Sequence, residues 1–340
     1  MGIRKLTVEK KMAMGGSAAL LLAIVLALAL GCQSKGEDAT EEEGQTPENP
    51  GSSNRTESTS GETTPPSGGE SLSGSITRAE DFGYIRNQNN DGVIVTYWTS
   101  SATNIIIPDT LDGLPVTGFI NNLFTGRNIT GVSLPDTIRQ IPNAAFRGCT
   151  SLTMVKLSAT LEAISNEAFY GCTRLGTIEI PASVTSIGND AFGNCSGLTR
   201  VVIPESVRTI GNSAFSDCDK LTNVVIPATT TIGNYAFWDC DGLTSVVMTA
   251  SVTTIGEGAF YSCGNLAKVT LPNSLTTLGR AAFSNCWNLI ELNVPASLTT
   301  FDNRSLYRYG DIGYIFTRCH KLPLAVRAQL VAQGYNGTGF

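Results

Sequence analysis

The chain is poor in the groups that most site chemistry needs. Its 340 residues include one histidine, His320. That leaves no obvious base for a cysteine nucleophile and no imidazole set for zinc. No basic block occurs beyond the first residues, so nucleic acid is not an expected partner. No glycine-rich phosphate loop is present. The acids Glu162, Glu167 and Glu179 fall at scattered solvent positions instead of pairing for acid–base work. The segment Asn87–Gly92 has alternating oxygen side chains, but Trp98 stands where a calcium loop needs its bidentate acid, so it reads as a turn. No catalytic residue, metal or cofactor is expected. Length alone allows about two ordinary domains.

The N-terminal 78 residues read as targeting and tether. Arg4, Lys5, Lys10 and Lys11 precede an apolar run from Ala18 to Leu30. The run is short for a membrane span of ~20 residues. It ends in Ala29-Leu30-Gly31-Cys32, which resembles a bacterial lipobox, with Cys32 as the lipidated residue. Residues 1–32 are therefore expected to be a lipoprotein signal peptide, and the membrane a partner through the anchor. Residues 33–78 are nearly all Glu, Ser, Thr, Gly, Pro or Asn, with nine acids against Lys35, Arg55 and Arg78. Such a segment cannot bury enough apolar surface to offset its ordering entropy. It is expected to be a disordered acidic linker that repels itself and extends.

From residue 79 the chain is periodic. Cys149, Cys172, Cys195 and Cys218 are 23 residues apart; Cys240 follows after 22, then Cys263 and Cys286 at 23. Each repeat reads L-T-x-V-x-I-P, then S-V-T-x-I-G, then A-F-x-x-C. Val201 and Ile203 alternate at strand period, and Pro204 ends the strand. Gly188, Gly211, Gly233, Gly256 and Gly279 are expected to supply a tight turn, and Phe146 through Phe283 to fill the interior. No single repeat can bury its apolar face, so the units stack into a solenoid. Equivalent strands should join in parallel sheets at ~4.8 Å per coil, giving about nine coils over roughly 40 Å. At the start, Asn90-Asp91-Gly92 joins Tyr84–Arg86 to Val93–Trp98 as a hairpin-like cap. At the end, ten residues near Asn303–Ile312 are inserted before Cys319, and residues 321–335 read as a short capping helix with Leu322, Val326 and Leu330 on one face.

The repeat "LTRVVIPESVRTIGNSAFSDC" and its sisters resemble the BspA-like leucine-rich repeat proteins, over residues 79–340. The resemblance implies a leucine-rich repeat β-solenoid with the L-x-x-V-x-I strands on the concave face. It also implies surface display, adhesion and protein binding, without catalytic residues. Together with Cys32 it points to a lipid-anchored, surface-exposed protein of a bacterial cell envelope, in the outer membrane. Partners would be host extracellular-matrix or cell-surface proteins. A carbohydrate-binding module or a structural envelope protein are the alternatives, the former disfavoured because the strand rows carry no aromatics.

Two readings of Cys149, Cys172, Cys195, Cys218, Cys240, Cys263 and Cys286 stay open. Neighbouring coils bring equivalent atoms within disulfide range. A ladder of free thiols is favoured, because stacked side chains point in parallel and each bridge would break the equivalence of the coils. Each thiol would then fill a corner and donate to a free backbone carbonyl. A candidate binding surface lies on the outward strand positions: Val202, Val225 and Val247 in one row with Thr270, beside Arg200, Asn223, Ser245 and Lys268 in the other. Tyr307, Arg308 and Tyr309 in the insertion are a second candidate.

Overall fold

A 23-residue period folds when each unit hands its apolar face to the next, and the coils here do so. The structure is a computed structural model that describes residues 79–340 apart from 228–230, 250, 304–305, 309–310 and 338–339. Cys32 and the acidic segment lie outside the described residues.

The N-terminal end is closed by a small sheet. Strands β1 (Phe82–Arg86) and β2 (Val93–Trp98) form the antiparallel hairpin that the Asn-Asp-Gly turn predicts. Asn90 takes the left-handed conformation at the turn, and Asn87 Nδ2 donates to Asp91 Oδ1 at 2.7 Å. The chain then lays down β3 (Asn104–Ile106), β4 (Thr110–Leu111) and β5 (Leu114–Phe119). β5 joins β2 in parallel and β4 in antiparallel fashion. The apolar edge of the first coil is thereby covered.

Eight stacked coils follow among the described residues, each with two short strands and a corner. The first strand of each coil alternates outward and inward residues, as in Arg200–Val202, where only Val201 is buried. These strands do not make one sheet. β3 joins Gly131–Ser133 and Met154–Lys156; Thr177–Glu179 joins Arg200–Val202; the last four strands, from Asn223–Ile226 to Glu291–Leu292, form a third group. The second strands, only two residues each, run unbroken from Gln140–Ile141 to Thr300–Phe301 as an eight-stranded parallel sheet. Thr231–Ile232 keeps its place in that sheet, so the missing residue of the 22-residue repeat is absorbed before it.

The corner is built by the Ala-Phe-x-x-Cys segment. Three backbone N–H groups per coil donate to the next coil, as in Ala144 N to Asn166 O at 2.9 Å, Phe146 N to Ala168 O at 2.8 Å and Gly148 N to Tyr170 O at 2.7 Å. The residues on either side of the phenylalanine donor, four apart, take the left-handed conformation to make this possible, as at Asp190 and Asn194 or Ser213 and Asp217. The expected role of the repeat glycines is corrected here. Gly188, Gly211, Gly233, Gly256 and Gly279 have ordinary φ. A Cβ on any of them would stand 2.5–2.6 Å from backbone of the preceding coil. They are glycine because coils touch backbone to backbone, not because the chain turns.

Phenylalanine forms the axis of the core. Phe124, Phe146, Phe169, Phe192, Phe215, Phe237, Phe260, Phe283 and Phe316 stack with centroids 5.1–5.7 Å apart and planes within 9°. This is the parallel, offset arrangement that aromatic quadrupoles favour. The step from Phe283 to Phe316 spans the inserted residues, so the insertion leaves the column intact. It leaves as a hairpin, Leu306–Arg308 against Asp311–Gly313. At the end, helix α1 (Leu324–Ala332) starts after Pro323 and stops before Gly334. Leu322, Leu330 and Tyr335 are buried, and Tyr335 meets Phe301, Phe316 and Phe340 edge-on. The helix closes the last coil as its apolar spacing predicts.

Candidate binding face

The repeat cysteines form a column along the corner of the solenoid. All eight from Cys149 to Cys319 are free and buried. Each Sγ donates to the carbonyl of the phenylalanine in the preceding coil, at 3.0–3.4 Å. That carbonyl is not free, as the sequence suggested. Phe146 O already accepts Cys149 N at 3.1 Å, and Cys172 takes its second lone pair. Burial pushes Cys149, Cys195 and Cys319 up to about 12 and the other five well above an ordinary thiol. Such thiols are inert toward attack and metal. Among the described residues no group of His, Cys, Asp or Glu converges to hold a metal ion. Asp219 and Asp239 are held above the usual carboxylate range, first by burial and then by neighbouring acids.

The first-strand row presents the valines outward. Val202 is 50% exposed, Val225 55% and Val247 36%, unusual for apolar side chains this close together. Parallel register sets Val225 beside Val247, Val247 beside Thr270, and Glu179 beside Val202. The polar row next to them is tied down more than its sequence suggests. Ser245 Oγ donates to Asn223 Oδ1, and Lys268 Nζ pairs with Glu291 on the following strand. Arg200 has no ion pair among the described residues, so it is the uncommitted cation beside the valines. The charges read as scattered are also partly paired: Glu162 with Arg139, Glu167 with Arg147. In the second candidate, Tyr307 and Arg308 lie on the insertion hairpin opposite Ile312 and Asp311, while Tyr309 is outside the described residues. His320 is exposed and offers its carbonyl to Arg327.

One column escaped the sequence reading. Asn121, Asn143, Asn166, Asn189, Asn212 and Asn234 stack beside the eight-stranded sheet. Each Oδ1 accepts the backbone N–H of the next coil at 2.8–3.1 Å, ending at Glu257 N. The signal was available, since Asn follows the repeat glycine at Asn189, Asn212 and Asn234.

Stacked coils with a buried leucine before each first strand (Leu198, Leu221, Leu243, Leu266) define a leucine-rich repeat solenoid. The chain belongs to the family described as "BspA type Leucine rich repeat region (6 copies)", which matches residues 117–244 and 230–320. Among solved structures it is similar to the T. pallidum leucine rich repeat protein, at 28% identity over 77% of this chain and 97% of that one, TM-score 0.42. It is also similar to a leucine rich cell surface protein from Faecalibacterium prausnitzii, at 24% identity over 71% and 86%, TM-score 0.35. The pneumococcal vaccine antigen PcpA matches at 21% identity over 71% of this chain and 64% of that one, TM-score 0.43. No curated protein matches the sequence.

Proposed function

We propose that this protein is a bacterial surface lipoprotein, anchored through Cys32, whose repeat domain binds proteins in adhesion to host or neighbouring cells. The observation that carries the binding reading is the exposed valine row, Val202, Val225 and Val247, with uncommitted Arg200 at its edge. Family membership supports a binding scaffold, and the F. prausnitzii relative is described as a cell surface protein. The partner that fits is a protein surface with an apolar centre and an acid placed for Arg200. Exposed charges of that kind set rate and orientation more than affinity.

A pull-down with full-length protein against extracellular-matrix and cell-surface proteins tests the face. Val225→Asp should abolish capture, because it buries an unpaired charge at the centre of the contact. Arg200→Ala should weaken binding modestly and flatten its salt dependence. Capture that survives Val225→Asp but is lost with Tyr307→Ala would move the site to the insertion. The anchor has its own test: Cys32→Ala should lose labelling by a palmitate analogue and leave the membrane fraction, and unchanged labelling would end the lipoprotein reading.

A further inference from the structure

The helix that closes the solenoid has two apolar faces. Val326 and Leu330 turn toward the last coil, and Leu330 is fully buried. The opposite side carries Leu324, Ala328 and Val331, spaced i, i+4, i+7 as one helical stripe, with Ala325 and Ala332 beside it. All five are exposed. Leu324 is 81% exposed and Val331 57%, the two highest values for a large apolar side chain among the described residues. A terminal cap ordinarily turns a polar face outward to keep the stack soluble. This one turns out leucine, valine and alanine.

The charge around this face is of one sign. From Ile312 to Phe340 there are three cations, Arg318, Lys321 and Arg327, and no Asp or Glu. The whole chain carries −6, so the residues outside this segment carry −9 against its +3. Lys321 Nζ donates to Asn288 Oδ1 at 2.6 Å, and Arg327 donates to the carbonyls of Leu322 and His320 at 2.7 Å. These neutral partners leave both charges unbalanced. The helix also starts without a side-chain cap, so its first N–H groups add partial positive charge at the Leu324 end.

These observations narrow the occupant. Like charge opposes a second copy of the same cap. The nine-residue helix is ~13 Å long, a small footprint for a stable protein interface and too short to cross a bilayer. An apolar stripe flanked by cations fits the boundary between lipid headgroups and acyl chains. We propose that α1 is a membrane-contacting face that lays Leu324, Ala328 and Val331 into a bilayer surface rich in anionic phospholipid, with Lys321 and Arg327 at the headgroups. The contact is distinct from the Cys32 anchor and from the valine row.

The test uses full-length protein carrying Cys32→Ala and Val331→Cys, reconstituted in phospholipid vesicles. The eight repeat thiols are buried and inert, so an environment-sensitive fluorophore reacts at position 331 alone. With Cys32 replaced, the outcome does not depend on the lipoprotein reading. In vesicles of about 30% phosphatidylglycerol the emission should shift to the blue and be quenched by nitroxide-bearing lipid, at least about fivefold more than in pure phosphatidylcholine. A fluorophore placed by Thr253→Cys, on the second-strand face, should stay in water in both. Adding Leu324→Asp should leave melting unchanged, because that side chain is exposed, and cut quenching at position 331 at least about fivefold. Lys321→Glu should do the same. A label left in water by both lipids, or quenched equally in both, would overturn the proposal. So would quenching that survives Leu324→Asp and Lys321→Glu. Blue-shifted emission before vesicles are added would overturn it too, by showing that a second copy or the acidic segment covers the helix.

Discussion

The inward columns of the solenoid and the outward positions of its first strands obey opposite rules. At the corner, Phe and Cys recur in almost every coil, and glycine holds its place in five consecutive coils. On the first-strand face the same register position holds Met154, Thr177, Arg200, Asn223, Ser245, Lys268 and Glu291 in turn. Stacking at ~4.8 Å explains both. A residue that must fit against its own copy in the next coil is restricted to shapes that self-stack. A residue facing water has no such restriction, and like charges in line would repel. Repetition therefore marks what the fold needs, and its absence marks where a partner can be read.

The strongest test of the inward columns is alkaline unfolding. The folded thiols are held up to about 12 or beyond, whereas unfolded thiols ionise near ~8.5. Their contribution is complete below the unfolded value and is lost as pH rises toward the folded one. Each thiol adds about 1.4 kcal/mol per pH unit in that window, so the eight together lower stability by about 11 kcal/mol per unit. Near-UV circular dichroism should collapse cooperatively within about two units above pH 9, with thiolate absorbance appearing in the same step. Thiolate signal growing gradually in a protein that keeps its near-UV spectrum would show that the column is open to water.

A smaller effect belongs to the aromatic axis. Phe237→Ala removes the ring between Phe215 and Phe260 and should cost about 3–5 kcal/mol. Because solenoids are stabilised by nearest-neighbour interfaces, the loss should divide the domain, with hydrogen exchange accelerating first around the gap. Uniform acceleration from end to end would mean that the coils are more strongly coupled than their stacking suggests. The smallest effect is expected outside. Val225→Asp should cost at most about 1 kcal/mol from lower strand propensity, and Thr253→Asp, exposed at the second-strand face, no more. A large fall in melting temperature for Val225→Asp would place that side chain in the core and remove the contrast between the two regions.

What could be read from the sequence was burial. Phenylalanine and cysteine at a fixed interval, the hairpin turn at Asn90 and the apolar face of α1 each leave a pattern in side-chain polarity, and each was legible. What could not be read was the backbone of the neighbouring coil. Gly211 looks like a turn residue because the contact that requires it lies a whole repeat away. The second lone pair of Phe146 O has no letter in the sequence, and neither do the breaks that divide the first-strand sheet. Asn189 looked like an ordinary polar residue at an exposed position, though its carboxamide is a structural bond. The Lys268–Glu291 pair follows from parallel register, which puts a cation and an acid at the same position of successive coils.

The corner rungs have an electrical consequence. From Asn122 to Asn285 these backbone N–H groups point toward the C-terminal coils, and the carbonyls that receive them point back. Their peptide dipoles therefore add along the axis instead of cancelling as in the sheets. The edge behaves like one long aligned helix read in reverse, positive where the chain ends. Added coils would lengthen this dipole without enlarging the charge at either tip. Two such domains lying side by side would find the antiparallel arrangement cheaper than the parallel one.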